Sequence, residues 1–194
     1  MKIAAKAVRC GAAVLVLAAA ILVAAYHFSY PIELNMVTLP EEIAAFAGRF
    51  DAGGEPPKVT VYGGVVLGNR EYYLIEIGEE LGAVTLKRGL TGRYKIEYLR
   101  HGTGGLRDAI VESEGKKYLL LGGRDPQSRL ARITVSIDGR SYDLENHTHR
   151  DHFLLWTEID SRAEGRWVDR DKVRFYSADG EDLTELYDLS GGGI

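Results

Sequence analysis

Residues 131–145, ARITVSIDGRSYDLE, decide the fold class because their side-chain pattern and their turn residues agree. Apolar and polar side chains alternate on both sides of Asp138-Gly139, and this dipeptide between alternating runs is typical of a two-residue β-hairpin turn. Such a turn fixes the register of the strands and brings apolar side chains together on one face. The predicted cross-strand pairs are Ile137–Arg140, Val135–Tyr142 and Ile133–Leu144.

The same kind of pattern extends along most of the chain on both sides of this hairpin. Strands are predicted at 59–62, 71–78, 83–88, 94–98, 107–113, 117–122, 131–137, 140–145, 153–159 and 172–177. Turn-forming pairs such as Gly68-Asn69 and Glu114-Gly115 separate several of them. About ten short strands indicate a mainly β domain, built as an antiparallel β-sandwich or an open barrel.

Residues 38–50, TLPEEIAAFAGRF, have a helical period instead. Thr38 and Glu41 have the spacing of a capping box, with a proline in the first turn. The residues that share the apolar face are Ile43, Phe46, Ala47 and Phe50. We expect a short amphipathic helix at 40–50 that packs on the β domain or stands as a stalk, followed by a linker at 51–57.

Residues 10–26 form an uninterrupted apolar run of 17 residues behind three basic residues. The core of a signal peptide has about 7–15 apolar residues, and a membrane-spanning helix needs roughly 17–25. Two interpretations therefore stay open. In the first, the run is an uncleaved, single-pass plasma-membrane anchor with the N-terminus in the cytoplasm and the following domain outside. In the second, a peptidase cuts near Ala25 and the domain is secreted.

These features divide the chain into four predicted parts. A signal-anchor or transmembrane segment occupies 1–29, and the short helix and linker occupy 30–57. An extracytoplasmic β domain covers 58–188, and a flexible tail covers 189–194.

The charge balance narrows the function classes. The net charge is −4, and it becomes −7 without residues 1–29, because that segment carries three bases and no acids. An acidic domain lacks the basic field that nucleic-acid binding requires. The single cysteine, Cys10, excludes an internal disulfide and a thiolate zinc cluster. The sequence predicts no cofactor and no catalytic residue.

The sharpest motif is HTHRDH at 147–152, which has the H-x-H-x-D-H form of the zinc signature of metallo-β-lactamase-type hydrolases. In such a site the metals generate hydroxide at neutral pH. The candidate metal ligands are His147, His149, Asp151 and His152. No histidine follows this motif and 42 residues remain, too few for that hydrolase body. The competing interpretation is a polar loop between two strands.

The tyrosines form a second candidate set, Tyr72, Tyr73, Tyr94, Tyr98 and Tyr142. In a β domain they either line a ligand surface or pack across strands in the core.

Five segments together carry a resemblance to a family. They are LKRGLTGRYKIEY (86–98), YLLLGGR (118–124), ITVSIDGRSYDL (133–144), FLLWTEID (153–160) and VRFYSADGEDLT (173–184). In this order after one N-terminal apolar run, they resemble a loose group of small membrane-anchored or secreted proteins of Gram-positive bacteria, over residues 55–187. The resemblance implies the membrane topology and an extracytoplasmic domain, and it assigns no catalytic residue.

The expected function is therefore non-enzymatic. We predict a membrane-anchored extracytoplasmic β domain that binds or scaffolds an envelope or membrane protein, with residues 10–26 as its contact with the membrane. The alternative is a zinc-dependent hydrolase that uses the cluster at 147–152.

Overall fold

The computed structural model describes residues 2–49, 55–148 and 150–187, with the side chains of the first helix described from residue 14 onward. The helices are α1 (Lys2–Ser29) and α2 (Leu39–Ala47). The strands are β1 (Val59–Leu67), β2 (Arg70–Ile77), β3 (Glu80–Arg88), β4 (Tyr94–Gly102), β5 (Leu106–Ser113), β6 (Lys116–Arg124), β7 (Leu130–Ile137), β8 (Arg140–Glu145), β9 (His152–Ile159) and β10 (Val173–Ser177). The predicted tail at 189–194 lies outside the described residues.

Across the described ranges, the ten strands form three antiparallel sheets. Sheet A has the order β1-β2-β3-β4, sheet B has β5-β6-β9, and sheet C has β10-β7-β8. The mainly β prediction is confirmed. The hairpin at 131–145 has the predicted register, since Val135 pairs with Tyr142 and Ile133 pairs with Leu144.

Sheet B lies between the other two sheets. One apolar cluster joins sheets B and C around Leu119, Ile133 and Phe175, and a smaller one joins sheets A and B around Tyr72 and Leu120. Three consecutive leucines of β6, 119–121, are fully buried because both faces of this strand are covered.

Helix α2 packs on the outer face of sheet A, so packing rather than a stalk is the arrangement found. Leu39 and Ile43 join a cluster with Ile75 of β2. The predicted capping box is wrong: Thr38 occupies the N-cap position with helical backbone angles, and its side chain makes no cap hydrogen bond. The helix ends at Ala47, before the predicted boundary at residue 50, and residues 50–54 lie outside the described ranges.

Two strands of sheet A contain an extra residue that breaks the regular register. Val61 pairs with Ile75 and Gly63 with Leu74, which leaves Tyr62 as the extra residue in β1. In β4 the extra residue is Glu97. Such β-bulges turn the side chains that follow them onto the other face of the sheet.

Helix α1 precedes the domain and is joined to it at its C-terminal end. Ile32 and Tyr94 exchange two backbone hydrogen bonds of 3.0 and 2.8 Å, which tie the segment after α1 to the edge of sheet A. Among the residues with described side chains, none of the helices combines the length and apolar character that a membrane crossing requires.

Candidate functional site

The last histidine of the 147–152 motif is turned into the space between sheets A and B. His152 begins β9, and its side chain is nine-tenths buried. Its ring stacks on that of Tyr62, with the ring centres 3.6 Å apart and the planes 9° from parallel. The bulge in β1 aims Tyr62 at this position, because the extra residue leaves the strand ladder.

A glutamate of β2 connects these two rings to an arginine of β6. The Tyr62 hydroxyl donates to Glu76 Oε2 at 2.5 Å, and Arg124 Nε donates to Glu76 Oε1 at 2.7 Å. His152 Nε2 lies 3.1 Å from the same Oε1. The other ring nitrogen, Nδ1, is buried and lies 3.2 Å from the Asp151 carboxylate, without the geometry of a hydrogen bond. We call Tyr62, Glu76, Arg124 and His152 the interlayer cluster.

The interlayer cluster holds its carboxylate in the charged form. Burial opposes ionisation of Glu76, but the hydrogen bonds from Tyr62, Arg124 and His152 outweigh it, and the pKa of Glu76 is lowered. Burial and the neighbouring carboxylate raise the pKa of Tyr62 to about 12. The cluster therefore joins β1, β2, β6 and β9 through charge-assisted hydrogen bonds.

The four predicted metal ligands have different surroundings. His147 and Asp151 are exposed, whereas the side chain of His152 is largely covered and lies against Glu76. His149 lies outside the described residues. The described ranges contain no group of three or more histidine, cysteine, aspartate or glutamate side chains placed to hold a metal ion.

A second candidate site is a groove of about 350 Å³ between the face of sheet A and edge strand β5 of sheet B. We call it the aromatic groove. Its lining side chains are Arg70, Tyr72, Thr85, Glu97, Tyr98, Ala109, Ile110, Val111, Arg166 and Trp167.

The β-bulge in β4 creates the aromatic wall of this groove. Before the bulge, Tyr94 faces α2 and is buried; after it, Tyr98 pairs with Thr85 and lies on the opposite face of sheet A. Tyr98 is 42% exposed. Trp167 follows from the loop after β9 and is 48% exposed. The backbone carbonyl of Arg166 accepts a 3.0 Å hydrogen bond from Ile110, which holds this loop against β5.

Polar side chains at the groove are held in fixed positions. Arg70 donates to both oxygens of Glu97, at 2.5 and 3.2 Å, and Lys87 lies 3.6 Å from the same carboxylate. The hydrogen bond from Arg70 holds the pKa of Glu97 below its usual value. On Trp167, the Arg100 guanidinium lies 5.9 Å from the ring centre, in cation–π range. The groove thus combines aromatic faces with an arginine, Arg70, that is already oriented.

Of the residues that line the groove, Tyr72 and Tyr98 are candidates predicted from the sequence, and the others are not. Alternation predicts that Tyr94, Ile96 and Tyr98 share one face, and this is wrong for Tyr98 because of the bulge at Glu97. Tyr72, Tyr73 and Tyr94 are buried. Trp167 lies outside every predicted strand, and the sequence pattern does not reveal that its side chain is exposed in the groove.

The comparisons with known proteins add no relative: no protein-family model matches the chain, and neither a curated protein nor a solved structure matches it.

Proposed function

We propose that this chain is a non-enzymatic, membrane-anchored extracytoplasmic β domain that binds a protein partner through the aromatic groove. The observation that carries the proposal is the pairing of two half-exposed aromatic side chains, Tyr98 and Trp167, with arginines in one open groove. Tryptophan, tyrosine and arginine are the residue types that dominate binding energy in protein interfaces.

Contacts that hold Arg70 and the Trp167 loop in place support a binding role. Arg70 is held by Glu97, and the loop that carries Trp167 is held by its backbone bond to β5. Side chains that are ordered before binding lose less conformational entropy when a partner arrives. The layered packing of the three sheets supports a β-sandwich, rather than an open barrel, as the scaffold.

The N-terminal segment supports the membrane location. The large apolar side chains of α1 between Val14 and Val23 are 58–72% exposed, so the β domain does not cover them. Basic residues at 2, 6 and 9 precede the apolar run, which favours a cytoplasmic N-terminus and an external domain. Plasma-membrane anchoring is the form we propose, with secretion after cleavage near Ala25 as the alternative.

The zinc-hydrolase alternative has less support. His152 Nε2 is engaged by Glu76, and the other ring nitrogen, Nδ1, is buried, so the ring offers no exposed free nitrogen to an external metal. The metal content of the purified full-length chain distinguishes the two functions: the binding proposal predicts substoichiometric zinc, and the hydrolase requires stoichiometric zinc that is lost in His147→Ala.

The test of the binding proposal is crosslinking on intact cells with the tagged full-length chain, followed by mass spectrometry. We would compare Trp167→Ala with Trp156→Ala. Trp156 is a matched control because it is 49% exposed and lies on β9, outside the lining of the aromatic groove.

The expected result is one enriched partner that survives high salt, is lost in Trp167→Ala and is retained in Trp156→Ala. A partner retained equally in both variants would place the binding surface elsewhere. Recovery of the chain with no enriched neighbour would overturn the protein-binding role itself.

A further inference from the structure

The tip of the β3–β4 hairpin lies against the last turns of α1. The hydroxyl of Tyr26 accepts hydrogen bonds from Thr91 N at 3.0 Å and Thr91 Oγ1 at 3.2 Å. Gly89 approaches the helix so closely that a β-carbon there would lie 2.3 Å from the Tyr26 hydroxyl oxygen. The hairpin tip is therefore held beside Tyr26, the residue at which the apolar run 10–26 ends.

The chain between α1 and the sheet fixes this arrangement. Arg93 Nε donates to the carbonyl of Tyr30 at 2.8 Å, and its other nitrogens contact the Pro31 carbonyl and Glu33. The next residue of the hairpin, Tyr94, exchanges its backbone hydrogen bonds with Ile32. Sheet A and the end of α1 are consequently joined at the hairpin tip and along the start of β4.

Large apolar side chains project into solvent at this junction. Leu90 at the hairpin tip is 98% exposed, and Phe28 in the last turn of α1 is 87% exposed. A single exposed leucine is ordinary on a protein surface. Here Leu90 and Phe28 lie close to the uncovered apolar surface of α1. A bilayer that takes up the helix would therefore also take up these two side chains.

The charge of the hairpin differs from that of the whole chain. Residues 86–96, LKRGLTGRYKI, carry four basic residues and no acidic one, although the chain has a net charge of −4. Two of the four, Lys87 and Arg93, form ion pairs with Glu97 and Glu33. Arg88 is exposed, and Lys95 lies with its ammonium 5.3 Å from the centre of the Tyr30 ring. An apolar tip flanked by basic side chains is complementary to a bilayer with anionic headgroups.

We propose that the β3–β4 hairpin tip is a second membrane contact. Leu90 and Phe28 enter the boundary between headgroups and acyl chains of the bilayer that holds α1, and Arg88 and Lys95 bind anionic lipid headgroups. Because the tip is hydrogen-bonded to Tyr26, the second membrane contact fixes the orientation of sheet A relative to the membrane. The inference rests on the proposed anchoring of residues 10–26.

The experiment places an environment-sensitive fluorophore on single cysteines of the full-length chain, reconstituted in phosphatidylcholine–phosphatidylglycerol vesicles. Cys10→Ser provides the background. Leu90→Cys reports on the hairpin tip, and Ala19→Cys reports on the helix. The control is Glu79→Cys, an exposed position in the β2–β3 turn at the opposite end of sheet A. Spin-labelled lipids serve as quenchers, and circular dichroism confirms that each variant retains its β structure.

Quenching at positions 19 and 90, with none at 79, is the expected result. If position 19 is quenched but position 90 behaves like position 79, the second contact is wrong while the anchor stands. If position 19 is not quenched, the anchor proposal itself fails, and the hairpin contact fails with it.

Discussion

The β3–β4 and β7–β8 hairpins differ in regularity and in the chemistry of their tips. The β7–β8 hairpin pairs residue for residue and turns at Asp138-Gly139, where both residues have positive φ, as a type I′ turn requires. The β3–β4 hairpin contains the bulge at Glu97 and ends in a longer loop with an exposed leucine. The regular hairpin builds the core of sheet C, and the irregular one contributes residues to both candidate binding surfaces.

This difference shows that regular pairing serves packing, whereas an irregularity exposes side chains that can bind. Regular pairing keeps apolar side chains on one buried face, as Ile133 and Leu144 illustrate. A bulge interrupts that order and moves Tyr98 to an open face, at a local cost in regular pairing. Both surfaces proposed for binding include residues of the hairpin in which the alternating sequence pattern is broken.

The largest expected effect concerns the buried face of the regular hairpin. Ile133→Ala removes a fully buried side chain from the cluster between sheets B and C, and it should lower the free energy of unfolding by about 2–5 kcal/mol. Leu90→Ala, at the exposed tip of the other hairpin, should change it by less than about 0.5 kcal/mol. Urea denaturation measures both. Comparable losses in the two variants would contradict the described packing.

The bulge in β1 allows a similar test at the interlayer cluster. Glu76→Gln should cost about 1–3 kcal/mol, because it weakens charge-assisted hydrogen bonds in a largely buried site. The pKa of Glu76 is lowered by folding, so its ionised form stabilises the protein above its ordinary value of 4.5, and this contribution is lost as the pH falls through the folded-state value.

Denaturation at several pH values checks this sign. The stability gap between the native chain and Glu76→Gln should narrow as the pH falls below about 4.5. A gap that widens in acid would exclude the described ionisation of Glu76.

Replacing a turn glycine by alanine should destabilise the two hairpins to a similar extent, even though the hairpins differ. Gly139 has a φ of +77° and Gly92 a φ of +80°. An alanine at either position is strained in the left-handed region, at a cost of about 1–2 kcal/mol. Thermal unfolding of Gly139→Ala and Gly92→Ala compares the two costs directly. A neutral Gly92→Ala would mean that the longer loop can change its backbone, which would weaken the case for a fixed hairpin tip.

The smallest effect is expected at the bulge itself. Glu97→Gln removes the charge that holds Arg70, and the pair is about one-third exposed, so the loss of stability should be about 0.2–1 kcal/mol. The free energy of partner binding should fall by more than the free energy of unfolding, since Arg70 loses its fixed position in the aromatic groove. Binding that is unchanged in Glu97→Gln would show that the orientation of Arg70 is not used.

The sequence predicts the fold better than the site, for a physical reason. Alternation and turn chemistry are local, so the strands of sheet C and the pairing of Val135 with Tyr142 follow from them. The extra residues of the two bulges, Tyr62 and Glu97, contact His152 and Arg70 in other strands. A local sequence pattern does not predict such bulges. The capping box at Thr38 is not found either, and the first residue of α2, Leu39, is buried against sheet A.

The most direct test of the proposed function is site-specific photo-crosslinking on intact cells, with a photoreactive phenylalanine analogue introduced in place of Tyr98 or of Ser141. Tyr98 follows the bulge in β4 and lines the aromatic groove, whereas Ser141 is exposed on the regular hairpin. We expect a discrete crosslinked partner from position 98 and none from position 141. Equal crosslinking at both positions, or crosslinking from position 141 alone, would contradict this expectation.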